Sequence, residues 1–214
     1  MSRATETAPP DALLYIATAC PHCPGVLQGL CGLVKSGEIG RLEVVNLNHH
    51  PEAAQAAGVR SVPWLRLGPF VLTGARTPTE LAQWARRVQT PEGLEAYLGE
   101  LLGAGDLAEA QATLARTPQA GAALVRLLGD AEAALQIRLG AAAVIEGLEG
   151  NDTLAGLVAA LGALTRHADA RIRLDAAHAL GLSHRPTARP WLEALRTDPD
   201  ATVREEASDA LAAL

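Results

Sequence analysis

The chain has 214 residues, 49% hydrophobic and 20% charged, with a formal net charge of -6; such a composition can bury a core and excludes disorder as the main state. Lys35 is the single lysine and the arginines are scattered, so no basic stripe is available for phosphates, which argues against nucleic acid or an anionic membrane surface as partner. Apolar runs fall short of a membrane span, and the polar, proline-ended start lacks the basic and then apolar regions of a secretory leader, so the expected location is the cytoplasm.

Composition also shifts along the chain. All three cysteines lie at or before position 31, five of the six aromatic residues precede position 98, and residues 1–98 carry 8 acidic and 8 basic groups against 16 and 10 in residues 99–214. The expected organisation is a flexible N-terminus at 1–10, an α/β domain at 11–98 and an all-α domain at 99–214, a length that suits two small domains.

In chain order, the apolar run Ala12 to Ala19 has strand length and leads directly into Cys20-Pro21-His22-Cys23-Pro24. Gly25 to Ser36 then places Val26, Leu27, Leu30, Cys31, Leu33 and Val34 at helical spacing, which sets Cys20 at the amino end of a helix. Unpaired N–H groups and the positive end of the helix dipole favour a thiolate there and make it a nucleophile at neutral pH. Arg41 to Leu47 is a second strand, and Pro51 to Ala57 a short helix ending at Gly58. Two short apolar runs, Trp64 to Leu67 and Phe70 to Leu72, flank a Gly68-Pro69 turn, and a last helix, Pro78 to Val88, is capped by Thr77 or Thr79 with Leu81 and Trp84 inward.

This order of strand, CxxC, helix, the later Gly58-Val59-x-x-Val62-Pro63 segment, hairpin and helix resembles the thioredoxin superfamily across residues 11–90. The resemblance implies an α/β thioredoxin fold in which Cys20 attacks, Cys23 resolves, and Pro63 is a cis-proline whose neighbour Val62 pairs its backbone with substrate. The Pro21-His22 dipeptide looks like the bacterial periplasmic disulfide oxidases, while the following proline and compact size are similar to the glutaredoxin-like domains of archaeal protein disulfide oxidoreductases and of the alkyl hydroperoxide reductase flavoprotein. Two positions depart from the superfamily: Leu14 stands where thioredoxins keep a buried acid, and Ala19 where they keep a tryptophan.

The implied chemistry is dithiol-disulfide exchange with no cofactor beyond the Cys20–Cys23 pair, His22 adding positive charge or a hydrogen bond to the Cys20 thiolate. A structural metal is the rival reading, but it needs a second cysteine pair, and only Cys31, His22, His49 and His50 remain to complete a site, so no metal is expected. Cys31 lies roughly 12 Å along the helix from Cys23, too far for an intrahelical disulfide, and is expected to be a buried, inert thiol on the apolar face. His49 and His50 read as surface residues. Trp64 reads either as hairpin core or as a wall of the substrate groove beside Pro63.

From Leu101 onward, leucine and alanine recur at helical spacing between glycine and proline punctuation. Asp169-Ala-Arg-Ile172-Arg173-x-x-Ala176-x-x-Ala179-Leu180 matches Asp200-Ala-Thr-Val203-Arg204-x-x-Ala207-x-x-Ala210-Leu211, a self-match at a repeat period, and Ile137 to Ile145 is a weaker third copy. The phrase resembles short, alanine-rich bacterial HEAT repeats. That resemblance implies an all-α solenoid in which small residues let helices approach, Asp and Arg cross-link neighbouring repeats, and Arg138, Arg173 and Arg204 are structural. Glu205, Glu206 and Asp209 read as a solvated face or as a concave surface for a partner, and His167, His178 and His184 share no ligand spacing.

Together these features lead us to expect an enzyme, a protein disulfide oxidoreductase working as reductase, isomerase or relay. Its partners would be a protein client bearing a disulfide or oxidised thiol and an upstream reductase, with the helical half docking the client. The alternative is a redox-sensitive adaptor in which the helical repeat binds and catalysis is minor.

Overall fold

Leu14 sits at the centre of the first half because the apolar run around it is flanked by strands on both sides, the arrangement that removes polar alternation from a sequence. A computed structural model, describing residues 8–214, divides the chain into two units, one ending at Leu94 and one beginning at Glu95. The expected flexible end at 1–10 thus lies outside the described residues through position 7. Within its remainder, Pro10 is buried and its carbonyl accepts the Gly40 N–H at 3.0 Å.

The first unit is a four-stranded mixed sheet. Strands β1 (Asp11–Ile16), β2 (Arg41–Asn46), β3 (Trp64–Leu67) and β4 (Phe70–Thr73) lie in the order β2-β1-β3-β4. β1 runs parallel to β2 and antiparallel to β3, with Leu14 opposite Val44 on one side and Leu65 on the other. That register puts Ala12, Leu14, Leu65, Leu67, Phe70 and Leu72 on one face, all of them buried. Helices α1 (Cys23–Ser36) and α2 (Pro51–Ala57) connect strands and α3 (Pro78–Arg87) follows the last one, α1 and α3 packing on each other. α3 meets the sheet through Trp84, edge-on to Phe70 at 5.6 Å between centroids. It meets α1 where Gly29 leaves no space for a side chain: a Cβ there would stand 2.8 Å from Leu81.

Two boundaries differ from the sequence reading for a local reason. β1 stops at Ile16 rather than Ala19 because the Cys20 N–H bonds back to the Ala17 carbonyl at 3.1 Å, closing a turn. α1 starts at Cys23, two residues earlier than expected, with His22 at its N-cap, so Cys23 is the first helical residue and Cys20 stands just before the amino end.

The second unit is helical throughout. Its described helices are α4 (Pro91–Ala104, within which the division falls), α5 (Leu107–Arg116), α6 (Ala120–Leu128), α7 (Leu135–Glu146), α8 (Asp152–Leu164), α9 (Ala170–Leu182), α10 (Arg189–Leu195) and α11 (Ala201–Ala212), with a 3-10 turn at Pro186–Ala188. They pack in two rows: α5, α7, α9 and α11 follow one another, while α6 lies on α8 and α8 on the turn leading into α10. Ile172, Ala176, Ala179 and Leu180 of α9 are buried, and Gly181 brings α9 so near α11 that an added Cβ would stand 2.8 Å from Ala210.

The repeated phrase has a repeated geometry. Arg173 Nη1 donates to the carbonyls of His167 and Ala168, at 2.9 and 3.0 Å, and Arg204 Nη1 donates to those of Asp198 and Pro199, at 2.7 and 3.0 Å. Each arginine therefore ties down the turn that precedes its own helix, leaving fewer orphan carbonyls. The aspartates of the phrase behave differently from expectation. Asp169 and Asp200 do not cross-link repeats; they are N-caps whose carboxylates accept N–H groups of their own first turns, the position at which a short acidic side chain is most useful to a helix. Hydrogen bonds from the Arg171 side chain hold the Asp169 carboxyl down at about 2.

Cross-links come from other residues. Arg173 grips Asp198 bidentately, Nε to Oδ2 at 2.7 Å and Nη2 to Oδ1 at 2.8 Å, with 11% and 5% of the two side chains exposed. The Arg173 hydrogen bonds, outweighing burial, hold the Asp198 carboxyl below its usual range. Arg138 Nη2 reaches Asp175 at 3.2 Å, and His178 Nδ1 lies 2.9 Å from Glu206. Glu206 is therefore half-buried and paired, unlike exposed Glu205 and Asp209, which fit the solvated face.

Candidate functional site

Cys20 and Cys23 form a disulfide, their Cα atoms 5.5 Å apart. The strand-to-helix junction builds it. The turn after β1 delivers Cys20, and the first residue of α1 supplies Cys23, whose N–H donates to Cys20 Sγ at 3.2 Å. That N–H is one of the first-turn donors an α-helix leaves without a partner. The N-cap residue His22 makes no side-chain cap and the first turn of α1 carries no acidic residue, so nothing in it competes with a sulfur anion for these donors. α3 shows the opposite arrangement. There Thr77 and Glu80 close a capping box, which settles the choice between Thr77 and Thr79.

The two sulfurs differ in access. Cys23 is 3% exposed and Cys20 half-buried, so Cys20 is the more accessible of the pair. Across from it the Val62–Pro63 peptide is cis, and the Val62 carbonyl oxygen lies 3.8 Å from Cys20 Sγ. Pro63 is buried, and its carbonyl is occupied by the Gly74 N–H at 3.0 Å. Trp64 is also buried, 5.2 Å from the ring of Tyr15. Leu14 is fully buried.

Pro21 and His22 face a cavity of about 300 Å³ shared with Gly25, Val26 and the Ala75-Arg76-Thr77 approach to α3. His22 is exposed; Cys20 Sγ accepts the Cys23 N–H, and the Val62 carbonyl oxygen only lies near it. Nothing in the sequence points to Arg76 in this cavity; its place there with Pro21 and His22 follows only from the tertiary path of the chain.

Cys31 corrects an expectation: it is exposed, not buried. The buried stripe of α1 runs through Cys23, Val26, Gly29, Leu30 and Leu33. Position 31, at about 100° per residue, falls away from that stripe, which is narrower than the apolar pattern suggested. His50 is likewise exposed, 3.2 Å from Glu52. Among the described residues, no group of three or more His, Cys, Asp or Glu gathers as a metal ion requires. No helix among them is long and apolar enough to cross a membrane.

Compared with known proteins, the chain matches no family profile and no curated sequence.

Proposed function

We propose that this protein is a thiol-disulfide oxidoreductase of thioredoxin type acting on protein partners, joined to a HEAT-like solenoid that docks them. The observation that carries the reading is the Cys20–Cys23 disulfide at a strand-to-helix junction, with the reachable sulfur facing the cis Val62–Pro63 peptide. The sheet order supports the thioredoxin assignment, and the two rows of helices with arginine bonds repeating at the period of the sequence self-match support the solenoid.

In the reducing direction, the Cys20 thiolate attacks one sulfur of a partner disulfide, and the other partner sulfur leaves as a thiolate and takes a proton. Cys23 then loses its proton, attacks Cys20 Sγ and releases the second partner thiol. The partner gains two electrons and two protons, and Cys20–Cys23 ends as the observed disulfide; an upstream reductase, by the reverse exchange, restores the dithiol. The first-turn N–H at 3.2 Å stabilises the anion that attacks. Val62 offers backbone to an extended partner segment beside the sulfur. The cytoplasm is the proposed location, and neither nucleic acid nor membrane is among the proposed partners.

The test replaces Cys23 with Ser in the full chain, so that a mixed disulfide at Cys20 cannot resolve, and identifies attached proteins from cell extract by non-reducing gel and mass spectrometry. A short set of partners linked through Cys20, shrinking when Arg173→Ala disrupts the helical unit, supports the oxidoreductase with a docking module. Proteins that co-purify without any covalent link to Cys20 would replace it with the adaptor reading.

A further inference from the structure

The turn that presents Cys20 has little to hold it from within. Thr18 and Ala19 are both exposed, so no buried side chain anchors the two residues before the cysteine. Two hydrogen bonds from the end of β2 and the residues after it hold Thr18 instead, and a third braces their side chains. Asn48 Oδ1 accepts the Thr18 N–H at 2.8 Å, Asn46 Nδ2 donates to Thr18 Oγ1 at 3.2 Å, and the Asn48 N–H donates to Asn46 Oδ1 at 3.0 Å. These bonds close a ring, Thr18 to Asn48 to Asn46 and back to Thr18, that engages both the backbone and the hydroxyl of Thr18. The Cys20 N–H bond to Ala17 at 3.1 Å and the Leu47 N–H bond to Ile16 at 2.9 Å flank it on either side.

We infer that Thr18, Asn46 and Asn48 are positioning residues for Cys20, fixing the turn so that its sulfur stays on the first-turn N–H of α1. The inference rests on the reading of Cys20 as the attacking sulfur. An N–H at 3.2 Å stabilises a thiolate only while the distance is kept, because such a bond weakens steeply as it lengthens or bends. With the ring intact, rotation about the Ala17–Cys20 turn is restrained from the neighbouring strand. With it cut, the turn keeps only its own bond, and the reduced sulfur swings between the helix end and solvent. Asn46 serves both sides of the ring, its oxygen accepting from Asn48 and its nitrogen donating to Thr18. Neither Gln nor Asp at that position reproduces both bonds at the same reach. No residue of the ring touches a reacting atom, so their action is on the placement and acidity of Cys20.

The test uses the reduced full chain and follows alkylation of the Cys20 peptide by iodoacetamide from about pH 5 to about pH 9, read by mass spectrometry. Asn48→Ala and the isosteric Thr18→Val are expected to move the onset of Cys20 reactivity to higher pH and to slow alkylation at pH 7 about three-fold. Thr18→Ser, which keeps hydroxyl and N–H, is expected to restore the wild-type profile. Variants that melt earlier but keep the wild-type profile would reduce the ring to a structural staple and overturn the inference, as would a Thr18→Ser profile no better than that of Thr18→Val. Disulfide turnover is assayed separately. A wild-type chain that turns over no protein disulfide would count against the proposed function, while the shift in the alkylation profile would still decide whether the ring positions Cys20.

Discussion

The two units are held together by different means. In the α/β unit the charges are balanced and peripheral, the Asp11–Arg41 pair being exposed and the Glu38–Arg86 pair partly so, and the structure rests on apolar strands under α1 and α3. In the helical unit the alanines bury little area each, and charged side chains take on a structural part. Arg173 with Asp198 and Arg138 with Asp175 are mostly shielded from water, and the same carbonyl-binding arginine recurs with the sequence repeat. Small side chains permit close helix approach but supply less hydrophobic stabilisation, so directional bonds between turns carry more of the specificity. The unit that holds the disulfide thus has few buried charge pairs among its described residues, and the helical unit has more.

The sharpest way to break this contrast is to remove the reactive sulfur. Cys20→Ser is expected to lower disulfide exchange about a thousand-fold or more and to leave the helical unit's melting unchanged; a helical unit that melts earlier would mean the units are energetically coupled. Next in size is Arg173→Ala. It strands the Asp198 carboxylate, 5% exposed, and is expected to cost the helical unit about 3 kcal/mol in chemical denaturation, with the Cys20–Cys23 reduction potential unaltered. Thr77→Ala, which opens the capping box of α3, is expected to cost the α/β unit about 1 kcal/mol.

The smallest expected effect is a dependence on pH confined to the helical unit. Both ring nitrogens of His184 face acceptors, Nδ1 the Ala213 carbonyl at 3.2 Å and Nε2 a Glu149 oxygen at 2.9 Å. Only the imidazolium donates to both, and the bond to Glu149 first, then that to Ala213, raises its pKa. Because the folded value lies above the unfolded one, the stabilisation is complete below about 6.5 and is lost as pH rises through the folded value. The melting temperature of the helical unit should therefore fall slightly from mildly acidic to mildly alkaline pH, and His184→Gln should flatten the slope. The reverse slope in the wild type would contradict the assignment.

Much of this was legible in the sequence where the signal is local. A strand-length apolar run feeding a CxxC, a Gly-Pro turn between two short apolar runs, and a threonine before a proline each depend on neighbours within a few residues, and the observed elements follow them closely. The self-match located α9 and α11 and singled out their arginines. Other features depend on partners distant along the chain. Cys31 has the spacing of an apolar helix position, yet exposure is decided by how wide a stripe α3 and the sheet cover. The aspartates of the repeat carry the same letters whether they cap a helix or bridge to the next one. Likewise, nothing local to Asn46 and Asn48 points to Thr18, and that relation exists only because β2 lies parallel to β1.

Exposed Cys31 gives the protein a built-in redox meter. In the oxidised chain it is the one free thiol, since Cys20 and Cys23 are joined, and the sequence contains three cysteines in all. A thiol-specific label under native conditions therefore attaches once per oxidised chain, and three times after reduction and unfolding. The label on Cys31 is common to both states, so the number of further labels on an intact chain, read from its mass, gives the fraction of chains in which Cys20 and Cys23 are reduced.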